Sequence, residues 1–329
     1  MSPSFHKCSK VLDDAAYTMQ TAAEIERLRS RINDVAVCKH ASSLNGGRSC
    51  TIEYSSTIGP RAVMGSVNYY ARIRFHDGSP SWLLQVPRVA SFAVGLPSSL
   101  VEYLVLSEYA TLKFLETTIV PAPRVFSYGI CGTGTDHGTG VSLILMEELR
   151  RTPWTGQGVS GGEANENEKA KSSKIKVSAV ASDRFLVLTP TGPFATSTDY
   201  YAAFAEQYLE LIVDGQLYTE YPINAYLVYL FLKDNVAQLV SQEENQRYYL
   251  KHVDDKGDHL LVDEQLNITG IIDWQMARIV PLHKAFRPSL VTEDMNALCT
   301  GKFSLSPDDL VLSDMLGSRG LFDLASNYD

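Results

Sequence analysis

The chain has 329 residues, 45% hydrophobic and 20% charged, a globular balance at a length that allows one large domain or two lobes. Its net charge of −9 excludes a general nucleic-acid or membrane-surface binder, because both need a basic field. No apolar run approaches the roughly 18 residues of a membrane span, and five scattered cysteines (Cys8, Cys38, Cys50, Cys131, Cys299) make no CxxC pair. With no apolar signal core at the N-terminus, the expectation is a cytoplasmic protein with reduced thiols.

In chain order, residues 16–33 predict a helix with Ala23, Ile25, Leu28 and Ile32 on one face, broken by "HASSLNGGRS" at 40–49. The segment "VNYYARIRF" then changes period. Val67, Tyr69, Ala71, Ile73 and Phe75 share one face and Asn68, Tyr70, Arg72 and Arg74 the other, the pattern of a half-buried antiparallel strand. "HDGS" turns the chain, and "SWLLQV" pairs back until Pro87 removes a donor. Ser99 with Glu102 forms a capping-box pattern that opens a helix through "VEYLVLSEYATLKFLE". "IVPAPRVFSYG" and "VSLILM" predict two more strands, giving the order strand, strand, helix, strand, strand.

Residues 155–175 are glycine-rich and then charged, without apolar periodicity, and predict an exposed flexible loop. Beyond them the pattern is mostly helical. "STDYYAAFAEQYLELIV" carries Phe204, Tyr208 and Leu211 at helical spacing, and "AYLVYLFLKDNVAQLV" is apolar enough to predict a buried central helix.

Titratable groups crowd into "KHVDDKGDHLLVDEQLNITGIIDWQMA", residues 251–277. "HLLVD" and "ITGIID" are short apolar runs joined by "EQLN", which predicts an antiparallel hairpin. A hairpin returns to its start, so Asp258 and His259 are expected beside Asp273, with Asp254 at the same end. Carboxylates gathered in this way repel one another unless a cation holds them, as Mg²⁺ does.

The whole pattern resembles the protein-kinase-like fold, in particular the aminoglycoside phosphotransferase and choline kinase branch and its large fungal group. "GSVNY" (65–69), "WLLQVPR" (82–88), "SEYATLKFLETTIVPAPRVFSYG" (107–129), "LILMEEL" (143–149) and the 252–274 segment carry the likeness. It implies an α+β, bilobal fold. Residues 1–50 would be a helical extension, 51–146 a small lobe with an antiparallel sheet and one helix, and 147–329 a larger, mainly helical lobe. The implied activity is transfer of the ATP γ-phosphate to a hydroxyl of a small molecule, with Mg²⁺ or Mn²⁺.

Residue by residue, the resemblance implies that Asp254, in the motif His252-Val253-Asp254, orients or deprotonates the acceptor hydroxyl. Asp273 would hold the metal, with Asp258 or His259 as a further ligand. Gly65, Ser66 and Asn68 would cover the phosphates. Glu108 would brace the phosphate-binding residue, Gln85, and Met146, Glu147 and Glu148 would form the hinge that meets adenine. Two positions depart from the family pattern. Gln85 stands where a lysine or arginine is expected, and His259 where the motif has asparagine. Arg88, the nearest cation, is expected on the opposite side of its strand. These departures sustain an alternative, a catalytically impaired pseudokinase that serves as a binding or scaffold protein.

Overall fold

The alternation in Asn68–Phe75 is realised as a strand whose Tyr69, Ala71, Ile73 and Phe75 are buried while Arg74 faces solvent. In this computed structural model the described residues are 14–55, 67–88, 97–149, 152–154, 194–240, 248–255, 257–286, 289, 291–292 and 304–326. They fall into two units, one of Met1–Lys113 with Pro123–Leu149, the other of Phe114–Ala122 with Arg150–Asp329.

The first unit begins with helices α1 (Asp14–Arg31) and α2 (Asp34–Leu44). Strands β1 (Cys50–Glu53), β2 (Asn68–Phe75) and β3 (Trp82–Pro87) follow, then helix α3 (Ser98–Leu115) and strands β4 (Val125–Gly129) and β5 (Leu143–Glu147). The sheet order is β1-β2-β3-β5-β4, antiparallel throughout. Gln85 lies in the central strand, opposite Tyr70 on one side and Ile144 on the other.

One helix was expected before the sheet, and there are two. The Asn33 side chain accepts the amide of Ala36 and restarts the chain as α2, a capping signal hidden inside "RINDVAV". Ile25, Leu28, Ile32, Val37 and Ala41 from these helices share one core with Tyr69, Ile73, Trp82 and Leu84 of the sheet. Arg88, just past β3, reaches α1, where its Nη2 lies 2.7 Å from Glu24 Oε2. Burial pushes the Cys38 thiol up to about 12, and Cys50 Sγ donates to the Cys38 carbonyl oxygen at 3.5 Å, so both stay protonated thiols near neutrality.

The second unit holds β6 (Thr152–Pro153), α4 (Ser197–Val213), α5 (Pro222–Leu239), β7 (Tyr248–Lys251), β8 (Leu260–Val262) and β9 (Ile268–Ile271). It continues through β10 (Arg278–Pro281), α6 (Leu282–Ala285), α7 (Pro307–Ser318) and α8 (Phe322–Ala325). Strands β6, β8 and β9 form one small sheet, and β7 pairs with β10. The α+β class, with one sheet-bearing and one mainly helical part, is the one expected.

The expected burial of α5 is not observed. Val236 is buried, but Ile223, Leu227, Val228 and Phe231 are more than half exposed among the described residues. The helix is apolar on nearly every side and so carries no stripe that marks a core face. Its contact with α4 combines aromatic stacking, Tyr229 on Tyr208 at 4.6 Å, with an ion pair of Lys233 and Glu206. The predicted loop at 155–175 lies outside the described residues. No helix among the described residues is long and apolar enough to cross a membrane.

Candidate functional site

Strand β7 delivers the chain into a turn that ordinary residues avoid. The amide of Asp254 donates to the carbonyl of His252 at 2.7 Å, closing a three-residue γ-turn around Val253. Val253 has φ +61°, in the left-handed region where a β-branched side chain is strained. Asp273 also has positive φ, +65°. Both acidic residues of the expected site are therefore aimed by backbone that local preference alone would not adopt.

The hairpin closes as expected. Strand β8 pairs with β9, and the amide of Ile272 donates to the carbonyl of His259 at 3.0 Å. A short 3-10 turn, Gly257–His259, leads into β8, and another, Trp274–Met276, follows Asp273. Asp254, His259 and Asp273 each offer a ligand atom, and these atoms all lie within 4.8 Å of one another. The convergence of Asp254 and Asp273 is thus present. Asp258 stands outside this trio, its carboxylate 65% exposed and 3.9 Å from His259 Nε2.

Two histidines stiffen the arrangement. His252 Nε2 donates to the Ile272 carbonyl oxygen at 2.7 Å, and its ring meets the Trp274 edge at 4.7 Å. Burial, the larger influence, holds the His252 imidazole below its usual range, against the Ile272 carbonyl, which favours the protonated ring. His259 Nδ1 lies 2.7 Å from the Asp254 carbonyl oxygen, so the backbone of one member of the trio orients the ring of another. Trp274, buried beside the Asp273 turn, donates Nε1–H to the Ile271 carbonyl at 2.8 Å.

Sequence reasoning missed the outer supports of this hairpin. The Ile271 amide donates to the Pro121 carbonyl at 2.7 Å, and the Trp154 amide to the Leu260 carbonyl at 2.8 Å. Gly257 sits where a Cβ would fall 2.8 Å from Trp154 Cε3. Only the glycine within "DKGDH" hinted at so close an approach.

The expected nucleotide residues lie in the first unit. Gln85 Nε2 donates to Glu108 Oε2 at 2.6 Å, and both residues are buried. Asn68 is buried at the start of β2, while Gly65 and Ser66 fall outside the described residues. Met146 is buried near the end of β5. The Glu147 amide donates to the Arg124 carbonyl at 2.8 Å, and Glu148 is held by Ser81 and by Arg72 Nε at 2.7 Å. The Glu148 side chain is therefore taken up by β2 and the turn before β3, and the Glu147 side chain accepts the Arg124 amide at 3.2 Å.

Two carboxylates and an imidazole suit a divalent cation, since each offers a lone pair and the carboxylates bring the opposing charge. The fit rests on these donors.

Comparison with curated proteins finds no match. Among solved structures, a macrolide 2'-phosphotransferase type I is 14% identical, with 90% of this chain and 83% of that one covered and a TM-score of 0.35. Macrolide 2'-phosphotransferase MphH from Brachybacterium faecium, as apoenzyme, is 16% identical over 88% of this chain and 93% of its own, with a TM-score of 0.32. The ADP-bound aminoglycoside phosphotransferase APH(2'')-Ib is 12% identical over 90% and 98%, with a TM-score of 0.42. The sequence model of the phosphotransferase enzyme family (APH) matches residues 72–284, well over half of the chain, and the protein belongs to that family.

Proposed function

We propose that the protein is an ATP- and divalent-metal-dependent phosphotransferase that phosphorylates a hydroxyl of a small molecule. The observation that carries this reading is the trio Asp254, His259 and Asp273 at the mouth of one hairpin. A bound divalent ion would neutralise phosphate charge there, as in phosphoryl-transfer enzymes generally.

The residues of the chain do the positioning. Asp254, its carboxylate 41% exposed, accepts the proton of the acceptor hydroxyl or orients it. The strained Val253 turn fixes that carboxylate before substrate arrives. His252 is a positioning residue: its bond to Ile272 ties the turn to the strand that ends at Asp273. Gln85 and Glu108 are the pair assigned to the phosphates, with the amide in place of the usual cation. Gly65, Ser66 and Asn68 are assigned to cover the phosphates, and the Met146–Glu148 backbone to meet adenine.

A thermal-shift titration with ATP alone, with Mg²⁺ and with Mn²⁺ tests the reading. Stabilisation by nucleotide plus metal should reach about 2.7 kcal/mol at a hundred times Kd. It should vanish in Asp273→Ala. No shift with any metal would favour a scaffold protein instead.

A further inference from the structure

Helix α5 is apolar on both halves, and only one half is covered. At about 100° per residue, Tyr229, Lys233 and Val236 fall on the half that faces α4. There Tyr229 stacks on Tyr208, Lys233 pairs with Glu206, and Val236 is buried. Ile223, Leu227, Val228, Phe231 and Leu239 fall on the other half, and with Tyr221 just before the helix each is 55–73% exposed. Lys233 and Asp234 are the charged residues of the helix, so Asp234 is the single charge on the open half. Side chains of this size and exposure offer about 100 Å² each, on the order of 600 Å² together. That stands at the upper limit of what a monomer leaves open, and close to the roughly 800 Å² that each partner gives to a standard interface.

We infer that the open half of α5 is a homodimer surface, across which a second copy of the chain lays its own α5. Ile223, Leu227 and Phe231 recur every fourth residue and form one ridge. Ridges of this spacing pack into each other's grooves at roughly −50°, with axes about 8–10 Å apart. A two-fold axis at Leu227 makes the ridge its own complement. Leu227 then meets Leu227 of the partner subunit, and Ile223 meets Phe231 of the partner subunit. A face with aromatic anchors and little charge suits the centre of such a contact. An anionic membrane is a poorer occupant, because the chain carries −9 and the open half has no lysine or arginine. The inference does not depend on the phosphotransferase reading.

Sedimentation equilibrium of the full chain tests it. The parent should interconvert between monomer and dimer with a Kd of about 10 μM or tighter. Leu227→Glu sets like charges together at the two-fold and should weaken dimerisation by about a hundredfold or more. Leu227→Lys should do the same alone, yet an equal mixture of the two variants should recover the dimer, because the two-fold sets unlike charges face to face. Ile119→Glu, at an exposed position away from α5, should leave the dimer intact. Should the residue-227 variants fail to fold, Phe231→Glu mixed with Ile223→Lys gives the same readout. A parent that stays monomeric overturns the inference and assigns the face to another occupant. A dimer that Leu227→Glu leaves unchanged, or a mixture that does not recover it, overturns it as well. So does flotation of parent monomer on vesicles of phosphatidylcholine and phosphatidylserine, lost in Leu227→Glu.

Discussion

Gln85 donates its side-chain amide to the Glu108 carboxylate across 2.6 Å, linking the central strand to helix α3 in the interior of the first unit. Geometry of this kind is what a lysine–glutamate pair would use, but the amide brings no charge to a phosphate. Gln85→Lys should therefore tighten ATP binding by about tenfold, worth about 1.4 kcal/mol. Isothermal calorimetry of parent and variant decides it. Unchanged affinity would mean that residue 85 does not face the phosphates.

Asp254 follows a strained residue, and the strain has a use only if the carboxylate matters. Asp254→Ala should lower turnover by about 10²–10⁴-fold, the range for a lost proton-transfer group. Thermal stabilisation by ATP without divalent metal should survive, whereas the further stabilisation by metal should shrink, because Asp254 is one of the three candidate donors. A variant that transfers phosphate at the parental rate would remove the assignment.

Gly140 sets a packing limit within the first unit. It has φ +77°, and a Cβ there would fall 2.3 Å from the Arg31 carbonyl oxygen at the end of α1. Gly140→Ala should destabilise the protein by more than about 1 kcal/mol, since both backbone conformation and space oppose it. Urea unfolding measures the loss, and a midpoint equal to the parent's would contradict the packing described.

The stability should also respond to acid. His40 on α2 stacks on His137 at 3.8 Å, and burial, followed by the neighbouring imidazole, holds its pKa below the usual value. The unfolded chain titrates near about 6.5, so on acidification it takes up a proton before the folded chain does. Stability is then fully present above that pH and falls as pH drops toward the depressed folded value. Melting temperatures from about pH 7.5 to 5.5 should decline more steeply in the parent than in His40→Gln. Parallel curves would assign the acid sensitivity to other groups.

Much of the architecture was legible because strand and hairpin signals are local. The period-two pattern of Asn68–Phe75 follows from the pleat and lies where expected, but pairing does not stop at Pro87, which sits opposite Asn68 and is followed by the Arg88 amide donating to the Val67 carbonyl at 2.8 Å. The approach of Asp254 to Asp273 followed from the hairpin, whereas the partnership of Gln85 and Glu108 was implied by the family resemblance. Helix α2 escaped notice because its start depends on one Asn33 side chain, and "HASSLNGG" reads as a breaker although the helix runs on to Leu44. The exposure of α5 escaped for a different reason: a uniformly apolar helix does not state which face will be covered.

By itself, the sequence determined an acidic α+β chain with an antiparallel sheet and a hairpin that turns its acidic ends toward each other, since residue period and turn chemistry act over a few neighbours; the capping box expected at Ser99 is not formed, because α3 already begins at Ser98. Tertiary structure alone decided the direction of each donor. The positive φ of Val253, the carbonyl that holds His259 Nδ1 and the supports from Pro121 and Trp154 arise from backbone groups, which every residue shares and no side-chain pattern encodes.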